Sequence, residues 1–144
     1  MIERHRQNTL LTVPFSYNIE PSRNLVAVVA APPVTFDESM RAIRAVALEV
    51  ASQQCGALSD VREMDYVPSI TELRTIAFEF IRLRAAYRCG VAFVVSNDTH
   101  YGLGRLLSAL VERAGLRIGV FRDVPEAEEW LKENNPTTRR RSNG

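Results

Sequence analysis

Short runs of apolar residues, alternating or continuous, predict the strands of this chain. Phe15 to Ile19 alternates apolar and polar residues, which is the period of a half-buried strand. Leu25 to Ala31 is a continuous valine-rich run, typical of a strand covered on both faces. The turn cluster Glu20–Asn24 between them predicts a hairpin. Three further strands are predicted at 57–61, 90–95 and 116–121.

The segments between these strands show the spacing of amphipathic helices. Three of them begin with a capping residue that is followed three positions later by glutamate, a pattern in which the cap oxygen accepts an unpaired backbone N–H. These pairs are Thr35 with Glu38, Ser69 with Glu72, and Asp123 with Glu126. A further helix is predicted over about Thr99 to Ala114, with leucines facing inward and Gly115 at its end.

The order of these elements predicts an α/β fold. Read as β-β-α-β-α-β-α-β-α, the chain implies a mixed, mostly parallel five-stranded sheet with packed helices, in which only the first strand is antiparallel. We expect a single domain over residues 1–133. Its first twelve residues form an arm or an extra edge strand, and residues 134–144 form a disordered basic tail.

Composition limits the class of protein without identifying a reaction. The chain has 144 residues, of which 46% are hydrophobic and 24% charged, as in soluble globular domains. No apolar run approaches the ~20 residues of a membrane helix, and the first residues lack a signal peptide's apolar region. Cys55 and Cys89 show no metal-binding spacing, so we expect small buried hydrophobes, no metal and no cofactor. Together these features predict a cytoplasmic protein.

Charge argues against a nucleic-acid partner. The chain holds 18 basic residues, of which only Lys132 is lysine, and 17 acidic residues. Three of the arginines form the run Arg139–Arg141 in the last eleven residues, which contain no acid. The remainder therefore carries 15 basic against 17 acidic residues, whereas nucleic-acid-binding domains usually show a dense basic face. The arginine run itself either contacts an anionic partner or is a solvated terminus.

Polar residues concentrate after two predicted parallel strands, at the sheet edge where α/β proteins bind ligands. Asp60 and Arg62 stand two positions apart and should point to the same face. Asn97 precedes a helix whose free N–H groups favour an anion, and Tyr101 and Arg105 are neighbours at i, i+4. We predict that these five residues form a ligand-binding strand-end rim. The alternatives are an ion pair, a helix cap and a surface tyrosine–arginine stack.

Signals for catalysis are weak. Gly102 and Gly104 after a strand, with Asp123 beyond the next strand, imitate a dinucleotide-binding fingerprint, but Leu107 replaces its third glycine. Close helix–sheet packing is the simpler explanation of the two glycines. The chain has no Gly-x-Ser-x-Gly motif and no well-placed acidic pair, and His100 alone is expected to be a satisfied or solvated residue. We therefore predict no catalytic residue and no enzymatic activity.

Three segments together resemble a known family. They are Ser59–Arg62 after a strand, Tyr101–Arg105 at a helix start, and Val120–Leu131, where a Phe-containing strand precedes a short helix with Trp-Leu at its end. The region from Phe15 to Leu131 resembles the STAS-like, SpoIIAA-like domains of bacteria, which relate to anti-sigma-factor antagonists and more loosely to CRAL-TRIO lipid-binding domains. The resemblance implies a non-enzymatic domain that binds a protein partner or a small or lipidic ligand.

The resemblance leaves two kinds of binding open. Partner-switching antagonists carry a phosphorylated serine in an Asp-x-Ser-Gly loop, which the segment 63–69 lacks, and Ser69 has the pattern of a helix cap. A small-molecule or lipid binder predicts an apolar pocket beneath the helices. A regulatory interaction module predicts a filled core and an exposed apolar patch, and an enzyme predicts a cleft with shifted pKa values. The N-terminal arm, or the open sheet edge at Phe15–Ile19, also favours a homodimer.

Overall fold

A computed structural model describes residues 10–12 and 14–136, and in this part of the chain the predicted α/β architecture is confirmed. The strands are β1 (Leu10–Thr12), β2 (Phe15–Glu20), β3 (Leu25–Ala30), β4 (Gly56–Asp60), β5 (Val91–Val94) and β6 (Ile118–Phe121). The α-helices are α1 (Phe36–Gln53), α2 (Ile70–Arg82), α3 (Asp98–Glu112) and α4 (Val124–Asn134).

The six strands lie side by side in chain order. The five predicted strands are β2 to β6, of which β2 runs antiparallel to β3 and the remainder run parallel. The three-residue β1 extends the sheet beyond β2, within the segment predicted as an arm or an extra strand. The register aligns Val28, Ser59, Phe93 and Val120 in one row across the parallel strands, so their side chains share a face.

The strand order places three helices on one face and one on the other. Right-handed crossovers between sequentially adjacent parallel strands put α1, α2 and α3 on the same side, which we call the three-helix face. Helix α4 follows the last strand and packs on the opposite α4 face, against alternate residues such as Leu58 and Val94. Each central strand is therefore buried on both sides, as its continuous apolar sequence predicts.

The predicted helix starts are confirmed in detail. Thr35 and Ser69 each form a complete capping box, in which the hydroxyl accepts a backbone N–H and the glutamate three residues later accepts the cap's own N–H. Asp123 caps α4 by accepting the backbone N–H of Glu126 at 2.9 Å. Helix α3 begins one residue earlier than predicted, because Asn97 is its cap.

The two cysteines and the chain ends complete the description. Cys55 and Cys89 are buried free thiols, as predicted, and burial raises the pKa of Cys55 to about 11. Asn134, where the predicted tail begins, is the last residue of α4, and Asn135 is buried. Arg139–Arg141 and residues 1–9 lie outside the described residues. No helix in the described part of the chain is long and apolar enough to cross a membrane.

Candidate functional site

A cavity of about 140 Å³ lies between the sheet and the helices of the three-helix face. Its floor includes the aligned row Val28, Ser59 and Phe93 of the three neighbouring strands β3, β4 and β5. All three covering helices contribute to its walls, and nearly every wall residue is apolar. From them come Ala42, Ile43 and Val46 of α1, Leu73, Ile76 and Phe80 of α2, and Leu103 and Leu107 of α3. We call this space the apolar cavity.

Small side chains at the centre and a stiff ring cluster at one side explain why the space is not filled. Strand β4 contributes only Ala57 and Ser59 to the floor. Beside them Phe80 meets Tyr87 and Phe93 edge-on, with ring centroids 5.1 and 6.3 Å apart, an arrangement that aromatic rings prefer. Protein interiors rarely hold voids larger than a water molecule, so a cavity of this size is a distinct feature.

Most polar groups that line the apolar cavity already form hydrogen bonds with other groups of the protein. The Tyr87 hydroxyl donates to the Ile43 carbonyl at 2.5 Å, and the Ser39 hydroxyl donates to the Thr35 carbonyl at 3.1 Å. Burial raises the pKa of Tyr87, so this hydroxyl stays protonated as a donor. The Ser59 hydroxyl makes no hydrogen bond with the described residues, and it is the polar group on the floor left available to a ligand.

The segment between β4 and α2 forms a half-buried side of the apolar cavity, and we call this side the mouth. Met64, Tyr66 and Pro68 line this side and are half-buried. Side chains tie the segment down: the Tyr66 hydroxyl donates to Glu72 at 2.9 Å, and Asp65 accepts the backbone N–H of Val34 at 3.0 Å. From sequence, this segment was compared only with the phosphoserine loop of partner-switching antagonists, because nothing in its local pattern shows which helix it covers.

His100 joins this segment to the start of α3. It is 8% exposed and lines the apolar cavity. Asn97 Oδ1 accepts the His100 backbone N–H at 2.8 Å, so the Asn97 amide N–H₂ faces Nδ1 of the ring at 3.1 Å. Nε2 therefore carries the proton and donates to the Tyr66 carbonyl at 2.9 Å. Both ring nitrogens of His100 have hydrogen-bond partners, as expected of a satisfied histidine, and the bond to Tyr66 helps to hold the segment between β4 and α2 in place.

The strand-end rim divides into separate groups. Asp60 and Arg62 pair with each other, with Oδ1–Nε at 2.9 Å and Oδ2–Nη2 at 2.7 Å. The guanidinium lowers the pKa of Asp60, so the carboxylate is already neutralised by its neighbour. Asn97 caps α3 and holds His100, as described above. These contacts match the ion pair and the cap that were the simpler alternatives.

Tyr101 and Arg105 face a different part of the molecule, the side of α3 next to β6. The guanidinium of Arg122 lies 4.6 Å from the Tyr101 ring centroid, and that of Arg105 lies 6.0 Å from it. The tyrosine–arginine stack, which was the alternative to a ligand-binding role, is therefore present, with Arg122 as its closer member. Arg122 is not among the residues predicted from sequence, because only the β5–β6 pairing brings the end of β6 beside the start of α3.

The alternatives that involve catalysis gain no support from the geometry. Gly102 and Gly104 lie inside α3 rather than in a phosphate-binding loop. A Cβ at Gly104 would lie 2.7 Å from Val120, so this glycine serves close helix–sheet packing, whereas one at Gly102 would meet nothing within 4 Å. Among the described residues, no group of three or more His, Cys, Asp or Glu is placed to hold a metal.

Comparisons with known proteins add no relative. No protein-family model, no curated protein and no solved structure matches the chain. The resemblance to STAS-like domains therefore stays a prediction.

Proposed function

We propose that the protein binds a small, largely apolar ligand in the apolar cavity, without catalysis. The single observation that carries this proposal is the cavity of about 140 Å³ beneath the three helices. An engineered protein cavity of about 150 Å³ with apolar walls binds benzene, so the space here fits a ring of similar size. The resemblance of three segments to STAS-like domains agrees with a non-enzymatic binding role in the bacterial cytoplasm.

The lining of the cavity sets the chemistry of the ligand. Its walls offer apolar contacts on every side, and Ser59 offers one hydroxyl that can donate and accept. The best match is a ring or short chain that carries a single hydrogen-bonding group, such as a phenol. A larger lipidic molecule would place only its end in the cavity. The rest of the molecule would extend outward past the half-buried side chains of Met64, Tyr66 and Pro68.

Native mass spectrometry of gently purified protein is the first test, because it reads bound ligand and assembly together. Extra mass that is lost on denaturation identifies the ligand class and supports the proposal. Toluene and phenol then serve as defined probes in NMR titrations. We expect both to shift the signals of cavity residues, and Ser59→Ala to weaken phenol binding about 2- to 10-fold, the value of one hydrogen bond, with toluene binding unchanged.

A cavity-filling variant locates the binding site. Ala42→Leu adds apolar volume inside the cavity, so it should abolish binding of both probes while leaving stability unchanged or higher by up to about 1 kcal/mol. Ala51→Leu makes the same change at an exposed position of α1 and should leave binding intact. Probe binding to Ala42→Leu at the wild-type affinity would place the site elsewhere and overturn the proposal.

A regulatory interaction module is the second candidate. Two large apolar side chains, Leu48 on α1 and Phe78 on α2, are 73% and 68% exposed, as a partner-binding surface requires. Phe78→Gln would remove binding to a protein partner and leave the probes bound, whereas Ala42→Leu would have the opposite effect. The apolar cavity favours the ligand-binding function, because an interaction module needs no internal space.

A further inference from the structure

A second concavity, independent of the apolar cavity, runs along the free side of β6. This groove of about 510 Å³ lies where α3 and α4 flank the last strand, and we call it the β6 groove. In the described part of the chain β6 pairs only with β5, so its other side is an open sheet edge. Aromatic rings and carboxylates share the lining: Tyr101, Phe121 and Trp130, with Glu126, Glu129 and Glu133.

The charge of the β6 groove is unbalanced. Glu126, Glu129 and Glu133 are spaced i, i+3 and i+7, so they follow one side of α4, and all three are exposed. Within the described residues none of the three carboxylates has an ion pair. The single cation of the groove, Arg122, is engaged by Asp98 at 2.7 Å and by the Tyr101 ring. The groove therefore presents free negative charge beside aromatic faces, the surroundings that guanidinium groups favour.

The sequence that follows α4 contains a cluster of positive charge that could complement the groove. Residues 137–144, of which the structure describes none, follow Pro136 directly after the end of α4 and hold Arg139, Arg140 and Arg141. The sequence thus offers three positive charges for the three unpaired negative ones. The rest of the chain also carries a small net negative charge, so this run is the best-matched cation that the sequence offers.

The connection is long enough for the two to meet. The end of α4 is held in place, since Asn134 donates to the Trp130 carbonyl at 2.8 Å and accepts from Arg117 just before β6. From Glu133 back to Glu126 the helix rises about 10 Å, at 1.5 Å per residue. Five extended residues from 137 to 141 span about 17 Å, so each arginine can reach a carboxylate.

We propose that residues 137–144 fold back into the β6 groove, with the three arginines against Glu126, Glu129 and Glu133. The short connection gives an effective concentration in the millimolar range, so individually weak exposed pairs suffice. The contact is electrostatic and is weakened by salt. Its consequence is that the chain covers its own open edge at β6 and removes a site for strand pairing between copies.

Trp130 provides a direct readout, because it is the only tryptophan and lines the groove. The full chain is compared with a chain that ends at Pro136, after cooperative urea unfolding shows that both are folded. At low salt we expect different Trp130 emission maxima, and at about 0.5 M salt, where screening is strong, coincident spectra. A peptide of residues 137–144 should restore the full-chain emission of the shorter protein with a millimolar Kd.

A matched pair of charge variants tests the contact in the full chain. Glu129→Gln with Glu133→Gln should remove the salt-dependent part of the Trp130 emission; Glu126 is left intact because it lies in the first turn of α4. Glu63→Gln with Glu112→Gln changes net charge equally, at exposed positions outside the groove, and should retain that part. Equal loss in both variants would overturn the proposal.

Two further outcomes are decisive. Identical spectra of the full and shortened chains at low salt would mean that the segment does not occupy the groove. Emission that depends on protein concentration, together with a dimer mass in native spectrometry, would place the arginines on a second copy and overturn the intramolecular contact. A monomer with concentration-independent emission supports it.

Discussion

The two faces of the sheet show that small residues have opposite consequences in different surroundings. On the α4 face, a Cβ at Gly56 would lie 2.8 Å from Leu131 and one at Gly119 would lie 3.1 Å from Trp130, so glycine lets the helix approach the sheet. On the three-helix face, Ala57 and Ser59 are small as well, but there the apolar cavity remains above them. Small residues therefore allow close packing between helix and sheet on the α4 face, whereas on the three-helix face they leave a cavity between the sheet and the helices.

Contacts among the helices themselves explain the difference. Among the described residues, helix α4 has no neighbouring helix on its face and packs directly against the strands. Helices α1 and α2 are instead tied to each other through Glu79 of α2, which accepts from Arg44 of α1 at 3.0 Å. The segment that follows α2 is also tied to α1, because the Tyr87 hydroxyl donates to the Ile43 carbonyl. These ties hold the covering layer in a fixed position, so it does not collapse into the space below.

The largest expected effect is the loss in free energy of unfolding when one buried leucine on each face of the sheet is replaced by alanine. Leu131 and Leu107 are both 5% exposed, but Leu131 packs against the glycines and Leu107 borders the apolar cavity. We expect Leu131→Ala to lower the free energy of unfolding by about 3–5 kcal/mol and Leu107→Ala by about 2–3 kcal/mol, because fewer contacts are lost beside an existing void. Urea unfolding measures both, and the reverse order would refute the contrast between the faces.

A glycine pair gives the next largest effect. Gly56→Ala would place a methyl 2.8 Å from Leu131 and 3.1 Å from the Cys89 carbonyl oxygen, so we expect a loss of about 1–3 kcal/mol. Gly102→Ala meets nothing within 4 Å at an exposed position of α3 and should add up to about 1 kcal/mol, the helix preference for alanine. Thermal unfolding distinguishes them, and a tolerated Gly56→Ala would show that the α4 face is not closely packed.

The smallest effect concerns the tie between α1 and α2. Hydrogen bonds from Arg82 and Arg44 lower the pKa of the buried Glu79. A lowered folded-state pKa means that this stabilisation is present above the ordinary glutamate pKa of about 4.3 and is lost as the pH falls through the lowered value. We expect Glu79→Gln to cost about 1–2 kcal/mol at pH 7 and progressively less below pH ~4.

The control for this prediction is Glu112→Gln, which is exposed on α3 and should change stability little at any pH. Asp60 and Glu128 also have lowered pKa values, so acid unfolding persists in Glu79→Gln with a shallower dependence on pH. A difference between wild type and Glu79→Gln that stays constant from pH 7 to pH 3 would contradict the assigned role of the carboxylate charge.

Much of the fold was predictable, because its signals are local. A cap such as Thr35 and its glutamate are three residues apart, and the apolar runs of the central strands report burial on both faces directly. Alternation of strands and helices then leaves little choice of strand direction or crossover hand. For the segment that contains the edge strand β1, the sequence predicts either an arm or a strand. Three residues carry too short a pattern to distinguish the two.

The candidate site was predictable only in part. Asp60 and Arg62 lie together, but Arg62 is in the turn that follows β4. Their ion pair, and the hydrogen bond from the Arg62 backbone N–H to Asp60, therefore come from the geometry of this turn rather than from alternation along a strand. Tyr101 meets Arg122 across 21 positions of sequence, and Tyr66 meets His100 across 34. No local pattern contains such partners.

Sequence alone therefore determined the order of elements, the directions of the strands and the positions of the helix caps, since neighbouring residues decide each of them. Tertiary structure alone decided the apolar cavity, the mouth beside it and the β6 groove. A cavity is the volume left over after side chains from three strands and three helices have been brought together. That remainder depends on how far the helices are held from the sheet, a distance no single segment encodes.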